Sequence, residues 1–229
     1  MKHLLYVILF IPLFIACKQE ITPQVEKKLV SASDLNYEES VQIKGTDYSF
    51  YPVSIKIETT NKNYVSKRGF DREIYNLVFY NHKTHEKHLL FDSSQNISQI
   101  APVIVDYQKK PNIKDNGKLF YLIIITDYDN NDDLEEGHDP AYLFMSDIDG
   151  SNLTQLSPDF VDARSWKFLN KEKTLIEVDG KVDSNADQKF DGDDREHIYI
   201  IDIKDRHNSR EILGKPFQEI LKKRYIHKL

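Results

Sequence analysis

The 229-residue chain contains one cysteine, one tryptophan, eight glycines and eight prolines. A single thiol excludes a disulfide framework and any metal site built from several cysteines. So few glycines and prolines exclude collagen-like repeats and long Pro/Gly-rich segments. No apolar run reaches the roughly 20 residues of a membrane-spanning helix, which excludes a multi-span helical membrane protein. A basic excess is also missing, since 31 Lys and Arg face 37 Asp and Glu for a formal net charge of -6. Without a concentrated basic surface, a nucleic-acid partner is not expected.

What is present is an ordinary apolar content of 40%, with 12 Phe and 13 Tyr, enough for one globular domain with a real core. Residues 4–16 form an apolar stretch after Lys2, and the only cysteine, Cys17, closes it. That length suits the hydrophobic region of a signal peptide rather than a spanning helix. The ending Phe14-Ile15-Ala16-Cys17 resembles the lipobox of bacterial lipoproteins, although Phe14 stands where Leu is usual. The resemblance implies cleavage after residue 16, diacylation of Cys17 and a lipid anchor on the membrane. Residues 17–40 read as a tether, with Pro23 and scattered charges and little periodicity. Lys18-Gln19-Glu20 is similar to the export tag of surface lipoproteins of Bacteroidota, which implies the bacterial outer membrane, on its periplasmic or cell-surface face.

From residue 41 to 229 the apolar residues alternate or run in short β-branched and aromatic stretches between Asn, Asp, Gly and Lys clusters. Strands are predicted near 53–59, 74–80, 87–91, 119–126, 141–146, 166–169, 174–178 and 197–203, making the domain all-β. Three hairpins resemble one another, each preceded by a strong strand and a polar loop of variable length. Their pattern predicts a β-propeller-like array of three four-stranded antiparallel units. Residues 140–158, with Asp149-Gly150 suited to a tight turn, look like the repeat of TolB-type β-propellers. Three units are fewer than the roughly four to eight of a closed ring, so closure would need chain ends or a partner. Phe217, Ile220 and Leu221 follow an i, i+3, i+4 pattern after Pro216, predicting a short C-terminal helix packed on the sheet.

Two acidic loops carry the sharpest chemical signal. In residues 183–194, side-chain oxygens recur at Asp183, Asn185, Asp187, Asp191 and Asp194, at places one, three, five, nine and twelve. Calcium is a hard cation wanting six to eight oxygens, which such spacing supplies together with a backbone carbonyl from Lys189. The loop resembles EF-hand and dockerin-like calcium loops, with Phe190 at the place of the apolar anchor. Gln188 stands where Gly is usual, which strains the turn, and Asp194 where Glu is usual, so affinity near ~0.1–1 mM is expected. The equivalent loop of the preceding repeat offers Asp127, Asp129, Asn131, Asp133 and Glu135, with the terminal acid Asp139 one residue late. Residues 127–139 hold seven acids and no Lys or Arg, and residues 183–196 hold six acids against two cations. Such like-charge density is unfavourable without a counter-ion, so Ca2+ is the expected cofactor. The first repeat's loop, residues 61–71, is basic and should carry no site.

His82, His85 and His88, spaced by three around a turn, read as solvated turn residues. No nucleophile elbow, phosphate loop or zincin motif occurs. The sequence therefore describes a lipid-anchored, calcium-binding envelope lipoprotein serving as a non-catalytic binding or scaffolding module for a protein or glycan partner. The competing reading is a polysaccharide-active enzyme or glycan-binding lipoprotein with structural calcium.

Overall fold

The computed structural model describes residues 35–55, 74–91, 104–114, 116–125, 127–130 and 138–225. The leader with Cys17, the basic loop 61–71, and Asn131, Asp133 and Glu135 lie outside the described residues. Among the described residues, thirteen strands and one helix follow in chain order: β1 Leu35–Tyr37, β2 Val41–Gln42, β3 Tyr48–Ile55, β4 Asn76–Asn81, β5 Lys87–Leu89, β6 Ile104–Tyr107, β7 Lys118–Ile124, β8 Ala141–Asp147, β9 Thr154–Gln155, β10 Asp162–Phe168, β11 Leu175–Val182, β12 Arg195–Asp202, β13 Asp205–Glu211 and α1 Lys215–Tyr225.

The strands form three antiparallel sheets. The first has the order β1-β3-β4-β5 with β2 added on β3, the second β6-β7-β8-β9 and the third β10-β11-β12-β13. This is the all-β array of three propeller-like units that the repeated hairpins predicted. Leu35–Tyr37, inside the stretch read as a tether, is the outer strand of the first sheet, paired with residues 53–55 of β3.

Two cores hold the sheets in a row. In β7, Leu119, Tyr121 and Ile123 pack with Phe50, Leu77 and Phe79 of the first sheet. Phe120, between them and therefore on the opposite face, packs with Ile176, Val178 and Ile201 of the third. The middle sheet is thus covered on both sides, which is why β7 and β8 read as nearly unbroken apolar runs. Each wholly buried large side chain contributes roughly 1.5–3 kcal/mol to this packing. On the far face of the third sheet the β10–β11 pairs are polar, while Ile198 and Ile200 of β12 stand opposite Asp179 and Glu177. Ser165 donates to Asp179 at 2.8 Å, and Lys167 pairs with Glu177. The β10–β11 edge of that face is therefore polar.

The turn at Asp149-Gly150 also joins two sheets. Gly150 has φ +87°, and a Cβ there would sit 2.4 Å from ring carbons of Phe79 in the first sheet. Only glycine allows both the left-handed backbone and that approach. The C-terminal helix forms where its periodicity predicts, but none of its residues is buried, so it is not packed on a sheet as expected.

Candidate metal centre

In the second and third sheets, the loop between the second and third strands of each hydrogen-bonded path is one of the two acidic segments. Each ends on a buried aspartate just before the next strand, Asp139 at 0% exposure and Asp194 at 8%. Asp139 Oδ1 accepts the backbone N–H of Tyr128 at 2.6 Å. Asp194 Oδ1 accepts the backbone N–H of Ser184 at 2.8 Å. In both loops the donor is the residue after the first aspartate, so the two loops close in the same way. The additional residue of the 127–139 loop is taken up between these anchor points.

The loops differ in where they bring carboxylates together. One oxygen from each of Asp127, Asp129 and Asp139 lies within 4.8 Å of the others, the one such group of three or more acidic, His or Cys ligands among the described residues. Calcium–oxygen distances of about 2.3–2.6 Å put any two donors of one ion within about 5 Å, so this spacing fits one ion. Two carboxylates at that separation repel by roughly 3–4 kcal/mol at an effective dielectric constant near 20, a cost that a bound cation reverses. All three donors are hard oxygens, which suits calcium or magnesium rather than zinc or copper.

In the 183–194 loop the carboxylates turn to their own backbone. Asp183 accepts N–H groups of Ala186 and Gln188 at 2.6 and 3.0 Å, and Asp187 that of Lys189 at 3.0 Å. Asn185 accepts from Asp187 at 3.0 Å, and Asp191 from Asp193 at 2.9 Å. Asp194 Oδ2 takes the N–H of Asp191 at 3.0 Å. Gln188 has φ +65°, so the sixth place does adopt the left-handed backbone for which glycine is usual. Behind the loop, the buried Lys181 donates its ammonium to the carbonyl of Asp191. That cation offsets part of the loop's charge, and the acids are spread along a series of turns rather than gathered.

No protein-family model matches this sequence, and no curated protein is significantly similar to it. What the site can do follows from its donor set and surroundings.

The two loops touch. Phe190, 1% exposed, donates its N–H to the carbonyl of His138 at 3.0 Å, and its ring lies 5.0 Å from that of Tyr128. The Tyr128 hydroxyl points to Asp183 Oδ2 at 3.5 Å. Tyr128 thus stands between the two acidic segments. Its phenol is pushed above the ordinary range by desolvation and by the carboxylates of Asp183 and Asp194. Phe160, 65% exposed with φ +58°, places its ring 6.4 Å from Tyr128. Sequence spacing singled out Phe190 but neither Tyr128, Phe160 nor Lys181. The signal available was an aromatic residue between two aspartates at Tyr128.

The histidines make separate contacts. His82 Nε2 lies 2.8 Å from the Ser49 hydroxyl, and His85 Nδ1 lies 2.7 Å from the Tyr80 hydroxyl. They join no gathered ligand group among the described residues.

Proposed function

We propose that this chain is a lipid-anchored, calcium-binding lipoprotein of the bacterial envelope, and that its three-sheet array is a non-catalytic binding or scaffolding module. The observation that carries the calcium reading is the meeting of Asp127, Asp129 and Asp139 within 4.8 Å of one another, with Asp139 wholly buried. One buried and two half-buried carboxylates so close together favour a hard cation. On this reading Asn131, Asp133 and Glu135, from the same loop, would supply further oxygens, and the carbonyl of Lys189 would serve the second loop with Asp183, Asn185, Asp187, Asp191 and Asp194. Calcium in the first loop would hold the β7–β8 connection closed beside Tyr128 and Phe190, and so stiffen the end of the array where the loops meet.

The anchor reading is supported by residues 4–17, an apolar stretch ending at the chain's one thiol. Metabolic labelling with a radioactive fatty acid tests it. Label should enter the wild-type protein and be lost in Cys17→Ser, and label retained in that variant contradicts the anchor.

A second reading, a glycan-binding lipoprotein, is favoured by Phe160. An exposed aromatic ring held in a costly left-handed conformation beside the acidic loops offers a stacking surface for a sugar. Replacing Phe160 with Ala should leave calcium binding intact and abolish retention on a glycan column if this reading holds. Unchanged retention contradicts it.

A further inference from the structure

The C-terminal helix α1 has no buried residue, although its sequence is amphipathic. Phe217 is 43% exposed, Ile220 46% and Tyr225 68%, and Leu221 is exposed as well. At 100° per residue these four side chains fall within an arc of about 140° on the helix surface. Lys222 and Lys223 flank the arc on its two sides, Lys215 lies beyond, and Arg224 falls inside it near the last turn. Glu219 is the one acid of the helix and pairs with Lys222 across an exposed turn at 3.1 Å. Four cations against one acid give the helix a local charge of +3 in a protein whose net charge is -6.

A stripe of Phe, Ile, Leu and Tyr bordered by lysines is not what a water-facing helix needs, because solvation rewards polar residues all round. Nor is it a coiled-coil seam, since 11 residues carry too little of a heptad repeat. It fits an interface in which one side is apolar and the rim is anionic. We propose that α1 lies flat on an anionic lipid surface, with Phe217, Ile220, Leu221 and Tyr225 in the boundary between headgroups and acyl chains and Lys215, Lys222, Lys223 and Arg224 on lipid phosphates. The long stems of Lys222, Lys223 and Arg224 reach from the arc to the headgroup level. The inference needs no acyl anchor, and holding the array by both ends of its chain would orient it on the membrane. Phosphate charge draws the helix to the surface, and the apolar arc retains it there.

Flotation with lipid vesicles tests this in the chain from Lys18 onward, which keeps every described residue and removes the apolar leader and the acylation site. The protein should float with phosphatidylcholine vesicles containing phosphatidylglycerol, bind pure phosphatidylcholine about tenfold more weakly, and be released by high salt. The triple variant Phe217→Ser, Ile220→Ser, Leu221→Ser should lose at least about tenfold in binding. The charge variant Lys222→Glu, Lys223→Glu should lose the preference for anionic vesicles. Circular dichroism should show the β signal intact in both, since α1 contributes nothing to either core. Absence of flotation by the wild type, or equal flotation by the triple variant, overturns the proposal. So does a concentration-dependent dimer that the triple variant abolishes while vesicles capture neither form, because the arc would then belong to a second copy of this chain.

Discussion

Asp139 and Asp194 do the same work in successive sheets. Each is buried at the end of an acidic loop and accepts the N–H of the residue that follows the loop's first aspartate, Tyr128 or Ser184. Removing the Asp139 carboxylate by Asp139→Ala leaves that donor without its acceptor in a half-buried place. Such a loss costs about 1–3 kcal/mol. Asp139→Asn keeps an acceptor oxygen and should cost less without metal, yet it should lose most of the stabilisation that calcium gives. Urea denaturation of both variants, with calcium and with chelator, separates the two effects.

Gly150→Ala should destabilise the array by about 2 kcal/mol or more. The new methyl group meets the Phe79 ring, and the left-handed backbone adds strain of its own. Because the contact bridges the first and second sheets, the loss tests their packing rather than the turn alone. Thermal or urea unfolding measures it, and a change below about 0.5 kcal/mol would mean the two sheets are not seated as described.

At the far end of β7 and β8, Lys118 donates to Asp147, which also accepts from Asn152 at 2.6 Å. The hydrogen bond from Lys118, with that from Asn152, holds the Asp147 carboxyl below its ordinary range. A carboxylate depressed in the folded state stabilises above its unfolded value of about 4 and ceases to do so as pH falls through the folded value. Asp147→Asn should therefore be less stable than wild type at pH 7 by about 0.5–1 kcal/mol, and the gap should close as the pH is lowered below 4. A pH series of denaturation midpoints checks the direction. A gap that widens in acid would contradict it.

Gln188 occupies the left-handed place of the 183–194 loop. Gln188→Gly removes a strain of about 1 kcal/mol and returns part of it as unfolded-state entropy. The variant should be as stable as wild type or slightly more so, and should bind calcium more tightly in this loop. Paired calcium titrations of the two proteins measure the difference.

Much of the fold was legible because the middle sheet is buried on both faces. Phe120, Tyr121, Leu143 and Phe144 announce strands whichever way they point. Two strands that lie outside the predicted spans have little to bury. β1 is three exposed residues, and β13, the sequence Asp-Arg-His-Asn-Ser-Arg-Glu, is a charged edge strand paired on one side only. Charge of this kind protects an edge from unwanted pairing and at the same time erases the alternating pattern. The helix was legible from Phe217, Ile220 and Leu221, but periodicity specifies an apolar face and not what covers it.

The candidate site was legible in composition more than in geometry. Regular spacing made 183–194 the sharper of the two loops, yet the carboxylates that gather belong to 127–139. Spacing counts which side chains carry oxygens. It does not count backbone N–H groups that compete for them, and in the 183–194 loop Ala186, Gln188, Lys189 and Asp191 do so. The late position of Asp139 looked irregular because the anchor point, the Tyr128 N–H, is invisible in a linear sequence.

The most direct test of the account is a calorimetric titration of the chain from Lys18 onward with calcium, beside the variant Asp129→Asn, Asp139→Asn. The account predicts saturable binding by the wild type at about 0.1–1 mM, a higher melting temperature in calcium, and loss of the 127–139 loop's share of binding in the variant. Wild-type protein that shows neither binding nor stabilisation at millimolar calcium, or a variant that binds as the wild type does, would contradict it.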